Sequence, residues 1–214
     1  MGGSILPVTI YNGRVYLLFG KERDIDENPG WSDFGGGRDK NESHFETAAR
    51  EGSEELTGFL GSSHELVKRM KKYGVYTIDY QSNGYDKYRC HLFPMKYDVQ
   101  LPYFYNNNQR FLQKKLDPRI IRDSKLFEKT EIRWFSFPDI AKNKSQFRTF
   151  YKNIVDNILN QRAEITSFVK RHLLKTKTRT RTNKSRNRNK KTRTGTGTGT
   201  RTRTRKNKKN TIHK

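Results

Sequence analysis

The stretch from Gly35 to Glu55 leaves this chain few folds to choose from. Asp33-Phe34-Gly35-Gly36-Gly37-Arg38 puts flexible backbone directly before Ser43-His44-Phe45-Glu46, a sequence of the S-x-x-E capping-box form. That form predicts a helix beginning near His44, with Ser43 as its N-cap. At about 100° per residue, Phe45, Ala48, Ala49, Gly52 and Leu56 share one side and read as the core-facing stripe. Glu51, Glu54 and Glu55 share another, because residues three and four apart are neighbours on a helix surface. Arg50 lies one turn before Glu54 and is placed to pair with it. Thr57-Gly58 ends the helix, with Gly58 as a left-handed cap.

Carboxylates are costly to crowd unless a cation sits among them, and a divalent cation is the usual one. The helix by itself fits a metal site and a solvated acidic face equally well, since charge patterning of this kind is often structural. The upstream glycines favour the first reading. Their N–H groups, at the entrance to a helix, can approach phosphate oxygens closely. A site of hard oxygen ligands fed by a glycine turn is the apparatus for cleaving a phosphate anhydride.

These residues resemble the signature of the Nudix hydrolases: Gly, five residues, Glu, seven residues, then Arg-Glu-U-x-Glu-Glu-x-Gly-U, with U a bulky aliphatic. Here Gly36 is followed at those spacings by Glu42 and by Arg50-Glu51-Gly52-Ser53-Glu54-Glu55. Every charged position of the signature is occupied. The departures are Gly52 at the first U, Thr57 at the motif glycine and Gly58 at the last U; none removes a candidate ligand. Gly52 costs about 1 kcal/mol against alanine inside a helix, and leaves room for a neighbour to approach.

The resemblance implies an α/β/α sandwich around a mixed sheet and Mg²⁺- or Mn²⁺-dependent hydrolysis of a nucleoside diphosphate linked to another moiety. It implies Glu51, Glu54 and Glu55 as metal ligands, with Glu54 either coordinating or orienting a water. Arg50 would hold the glutamates, and Gly36 and Gly37 would offer backbone to the phosphates. Glu42 is a further ligand or a structural residue. The signature leaves the general base open, with Glu128 and Glu131 as candidates outside it. The histidines form no zinc spacing, and His44 reads as a surface residue.

The rest of the chain fits an α/β order. Asn12-Gly13 between Ile5–Tyr11 and Arg14–Phe19 is a two-residue hairpin signal. Asp26–Gly30 reads as a loop, Trp31–Phe34 as a short strand and Ser63–Lys72 as a second helix. Val75–Tyr80 and Lys87–Phe93 pair across a turn at Ser82-Asn83-Gly84. The polar and aromatic segment from Gln100 to Asp123 reads as an insertion near the site. Glu131–Phe135 is a strand followed by Phe137-Pro138-Asp139-Ile140, and helical patterning runs from Ser145 to Leu174. Trp31 and Trp134 read as core; Tyr80, Tyr85 and Tyr88 surround a loop, where packing in the sheet competes with stacking of a base.

Charge divides the chain in two. Residues 175–214 hold 17 of the 45 Lys and Arg and none of the 22 Asp and Glu, so +6 of the net +23 falls on residues 1–174. We therefore expect a domain over 1–174 and a low-complexity Lys/Arg/Thr-rich tail over 175–214 that cannot bury a core and stays disordered. The tail suits RNA or another polyanion, through counterion release. RNA ends, including 5′ caps, and diphosphoinositol polyphosphates would suit both parts of the chain. A scaffold of this type that binds RNA and turns over weakly is the alternative. A single cysteine, Cys90, excludes an intrachain disulfide and suits a reducing, intracellular compartment. No stretch reaches the roughly 20 apolar residues of a membrane span.

Overall fold

The structure is a computed structural model of the 214-residue chain that describes residues 2–23, 28–81, 87–124 and 127–172. The Ser82-Asn83-Gly84 turn, Tyr85, Asp26 and Glu27 of the expected loop, and the basic tail lie outside the described residues. Strand β1 (Gly2–Tyr11) turns through Asn12-Gly13 into β2 (Arg14–Glu22). Both turn residues take positive φ, 46° and 77°. Their twist matches that of the flanking strands, which is why Asn-Gly favours this hairpin.

β1 and β2 pair only near the turn, from Val8↔Leu17 to Tyr11↔Arg14. Beyond that they fork. The segment read as one strand at Trp31–Phe34 is two strands, β3 (Trp31–Ser32) on β2 and β4 (Phe34–Gly37) on β1, with buried Asp33 between them. The glycines therefore belong to a strand rather than to a flexible turn. On its other edge β1 runs parallel to β6 (Tyr88–Pro94), which pairs antiparallel with β5 (Tyr76–Tyr80). β7 (Lys129–Ser136) lies on the outer edge of β2. Among the described residues the sheet is mixed and seven-stranded.

Strand side chains alternate between two helical layers, because their period is two. On one face Ile5, Leu18, Phe34, Ile132 and Trp134 meet α1 (His44–Glu55), α2 (Ser63–Tyr73) and α3 (Gln100–Lys115). On the other Leu17, Phe19, Trp31, Leu92 and Phe135 meet α5 (Phe137–Lys142), α6 (Lys152–Asn160) and a helix over 162–172, here α7. A short α4 (Pro118–Asp123) follows α3. This is the expected α/β/α sandwich, with both tryptophans buried.

Two segments depart from what their local sequence favours. The Gln100–Asp123 segment is helical despite Asn106-Asn107-Asn108, poor helix formers. Tertiary contacts override that propensity: Leu101, Tyr105 and Gln109, spaced four apart, are buried. Asn106 donates to the Ile132 carbonyl at 3.1 Å and accepts from the Ile132 N–H at 2.8 Å, satisfying backbone along the outer edge of β7. The expected helix over 145–174 is interrupted. A 3₁₀ turn at Lys144–Gln146 is followed by extended Phe147, whose buried ring packs on Phe19, and α6 begins only at Lys152.

Candidate active site

α1 starts where its sequence signals place it. Ser43 caps the helix, its hydroxyl accepting from the Glu46 N–H, while the Glu46 carboxylate accepts from the Ser43 N–H at 2.9 Å. Ala48, Ala49 and Gly52 are buried. A methyl at Gly52 would lie 2.3 Å from Ile5 Cδ1, so this departure from the Nudix signature is the room that β1 needs to pack on the helix. The helix ends with Leu56 as C-cap, and Gly58 is left-handed as expected (φ 73°); Thr57 before it is left-handed as well (φ 46°). A β-branched residue pays for that conformation, and the buried Thr57 hydroxyl has no hydrogen-bond partner.

The glycines of β4 let the helix carboxylates lie directly on backbone. The Gly35 N–H donates to Glu55 Oε2 at 2.8 Å. Gly36 is covered by Glu51, whose carboxyl atoms stand 2.6–2.7 Å from where a Cβ would sit, so a side chain there would displace that carboxylate. Glu51 and Glu55, one turn apart, thus rest on adjacent residues of one strand. Gly37 is open, and its carbonyl accepts from Arg50 Nη2 at 3.1 Å.

Arg50 organises the outer half of the site. It donates to both oxygens of Glu42, Nε to Oε1 at 2.8 Å and Nη2 to Oε2 at 3.0 Å, and through Nη1 to Glu51 Oε1 at 2.7 Å. Glu54, its expected partner, is farther away at 3.7 Å, and Asp39 lies at 3.6 Å. Glu42 also accepts from the Thr47 hydroxyl at 3.0 Å. It is a structural brace in this arrangement, and the Arg50 guanidinium holds its carboxyl down to about 2.

The inner half was not anticipated. Glu55 is buried, and burial pushes its carboxyl well above the usual range despite the ammonium of Lys129, which lies 3.4 Å from Oε1. Lys129 is itself buried, ion-paired to Glu22 and donating to Ser32 Oγ at 2.8 Å. Burial works against the ammonium, but Glu55 and Glu22 outweigh it and raise its pKa. Arg148 Nη1 closes the network on Glu22 Oε1 at 2.6 Å. Tyr105 of α3 donates its hydroxyl to the Glu55 carbonyl at 2.8 Å, pinning the helix end.

Sequence periodicity alone could not reveal this network. The β2–β7 register shifts between Lys21 and Glu22, pairing Lys21 with Glu131 and Glu22 with Lys129, so that Thr130 is the extra residue. One added residue reverses the side-chain alternation, and Lys129 leaves the face that Glu131 and Arg133 would assign to it. Nearby, burial raises the Asp33 carboxyl, which accepts from the hydroxyls of Ser4 and of Tyr88. Tyr88 is thereby a packed sheet residue. Tyr80 accepts from Asn153 at 3.0 Å, and His44 Nδ1 hydrogen-bonds the Gly2 carbonyl at 2.8 Å.

Of the expected site residues, the fold brings Gly36, Gly37, Glu42, Arg50, Glu51 and Glu54 into one cluster and draws Glu55 inward to Lys129. Among the described residues no three His, Cys, Asp or Glu side chains converge as a ready metal cage. The two base candidates flank the network: Glu128 is close enough to raise the Glu55 carboxyl, and Glu131 pairs with Lys21 across the sheet. Among the described residues no helix is long and apolar enough to cross a membrane.

No protein-family model matches the chain, and no curated protein sequence does. Among solved structures it is similar to a Nudix hydrolase of M. smegmatis, RenU, at 12% identity, covering 77% of this chain and 87% of that one with a TM-score of 0.46. An Ap4A hydrolase of C. elegans is 15% identical over 82% of this chain and 95% of its own, with a TM-score of 0.37. A bifunctional NMN adenylyltransferase/ADP ribose pyrophosphatase of Francisella tularensis, complexed with AMP and a Mn ion, is 14% identical over 73% of this chain and 40% of its own, with a TM-score of 0.44. The Gly36–Glu55 motif, the capped helix that carries it and the forked mixed sheet beneath give this chain a Nudix-like fold.

Proposed function

We propose that this chain is a Nudix-type pyrophosphohydrolase: a hydrolase, dependent on a divalent metal, that cleaves a phosphoanhydride bond in a nucleoside diphosphate linked to another moiety. The observation that carries the reading is the excess of carboxylate around Arg50. Asp39, Glu42, Glu51 and Glu54 all lie within 3.7 Å of that one guanidinium. Four carboxylates on one fixed cation leave a surplus of negative charge on hard oxygen donors, and that donor chemistry fits Mg²⁺ or Mn²⁺.

Glu51, Glu54 and Glu55 are the residues that would hold the ion. When bound, it would polarise a phosphate oxygen and acidify an attacking water. The chain's own residues supply the rest. Arg50, fixed by Glu42, orients Glu51. Lys129 and the Gly35 N–H fix Glu55. The open backbone at Gly37 leaves room for a phosphate beside them. Glu128 and Glu131 stand as candidates to take the proton from water.

Within that class a 5′-capped RNA, and outside it the phosphoanhydride of a diphosphoinositol polyphosphate, fits the strongly basic sequence over 175–214 better than a free nucleotide does. A catalytically weak, RNA-binding scaffold is the second reading, favoured by one feature: Lys129 already neutralises Glu55. Product release from nucleoside triphosphates, dinucleoside polyphosphates, cap-labelled RNA and diphosphoinositol phosphates, with and without Mg²⁺ or Mn²⁺, separates the two. Metal-dependent turnover supports the hydrolase, and none on any substrate supports the scaffold.

A further inference from the structure

α2 presents a second anionic-ligand surface, lined by no residue of α1. A cleft of about 650 Å³ lies between α2 and the chain leaving β6, lined by Lys68, Arg69, Lys72 and Lys96 over a floor that includes Tyr73, Phe93 and Met95. All four cations are exposed. Among the described residues none of them has a carboxylate within the 4.0 Å of an ion pair; Lys72 instead lies 4.9 Å from the centre of the Tyr73 ring. The two carboxylates in the lining are engaged in capping helices. Glu65 accepts from the Ser62 N–H at 2.9 Å, and Asp98 accepts from the Gln100 N–H at 2.8 Å. Four exposed cations thus face two carboxylates that also accept from backbone N–H groups.

The arrangement matches a strand better than a compact anion. Lys68 and Lys72 stand one helical turn apart, about 6 Å, in a row along α2, with Lys96 facing them across an open cleft. Half-buried Tyr73 and Met95 lie beneath, and an aromatic ring among cations is a combination with which proteins hold single-stranded nucleic acid. On the other flank of α2 a second groove is lined by Lys40, Arg50, His64 and Val67, so α2 borders both this cleft and the acidic site. We propose that the α2 cleft binds the phosphodiester backbone of single-stranded RNA, independently of any hydrolysis at α1.

Lysine acylation read by mass spectrometry on the full chain tests this residue by residue, apart from whatever residues 175–214 bind. The probe is a ten-nucleotide oligo(U) with a 5′-hydroxyl, which has no anhydride to cleave. The expected result is about threefold protection of Lys68, Lys72 and Lys96, lost as salt rises, with Lys142 and Lys152 unchanged. The double variant Lys68→Glu/Lys72→Glu should lower the salt-dependence slope of oligo(U) binding by about 1.4, two contacts' worth for a single strand. It should leave metal-dependent turnover of a dinucleoside polyphosphate intact. Protection confined to lysines beyond residue 174, or equal protection by tripolyphosphate at matched charge, would overturn the proposal. So would a slope unchanged by the double variant. Loss of turnover in the double variant alone would overturn the independence of the two sites, whereas no turnover by the unaltered chain, with the footprint intact, would defeat only the hydrolase reading.

Discussion

Replacing Glu42 with glutamine tests whether the Arg50 brace is built as described. Both Glu42 oxygens accept from Arg50, and the carboxyl is held at about 2 against an ordinary value of 4.5. At about 1.4 kcal/mol per tenfold change in acidity, that difference is worth at most about 3 kcal/mol. With 21% of the side chain exposed, solvent screening reduces it to about 2 kcal/mol. The folded pKa lies below the unfolded one. The contribution is therefore complete above pH 4.5 and lost as pH falls through 2. Urea unfolding of both proteins at pH 7 and pH 3 should give a deficit for Glu42→Gln of about 2 kcal/mol at pH 7, shrinking to about 1 at pH 3. A deficit that is absent at pH 7, or equal at the two pH values, would refute the brace.

Other consequences follow from single contacts. Thr57→Gly should stabilise the fold by about 1 kcal/mol, because it relieves a β-branched residue at positive φ and removes a buried unpartnered hydroxyl; a lower melting temperature would contradict it. Gly52→Ala should destabilise by about 1–2 kcal/mol, since the clash with Ile5 exceeds the gain in helix propensity. Adding Ile5→Val should make the pair less than additive, and strict additivity would mean that the two do not touch. Lys129→Met should cost about 3–5 kcal/mol by leaving the Glu22 and Glu55 carboxylates buried without their ammonium, whereas Lys129→Arg should recover part of that in the same unfolding assay.

What the sequence disclosed depended on how local each signal was. Asn12-Gly13 and the Ser43/Glu46 capping box act within four residues, and both stand in the structure as read. The inner half of the site escaped because it is assembled from five separated positions, Glu22, Ser32, Glu55, Lys129 and Arg148, and depends on a bulge at Thr130 that sequence periodicity does not announce. α3 escaped for a related reason: its asparagines disfavour a helix locally, and only contacts with β7 and the end of α1 make it one. Within the Nudix-like motif, spacing predicted which residues would gather near Arg50, but Arg50 had several carboxylates in reach. Glu42 and Glu51 hold it more closely than Glu54 does: Glu42 meets it from the loop before α1, and Glu51, laid over Gly36 of β4, meets it along the helix.

Whether the acidic cluster cleaves an anhydride is decided by product release with Mg²⁺ from cap-labelled RNA, a dinucleoside polyphosphate and a diphosphoinositol polyphosphate, comparing the full chain with Glu54→Gln and Glu55→Gln. Metal-dependent cleavage of an anhydride is expected in at least one of them, reduced by about 100-fold or more in each variant, the scale of removing a group that acts on the transition state. Full activity in Glu55→Gln, or no cleavage by the unaltered chain with either Mg²⁺ or Mn²⁺, would contradict it.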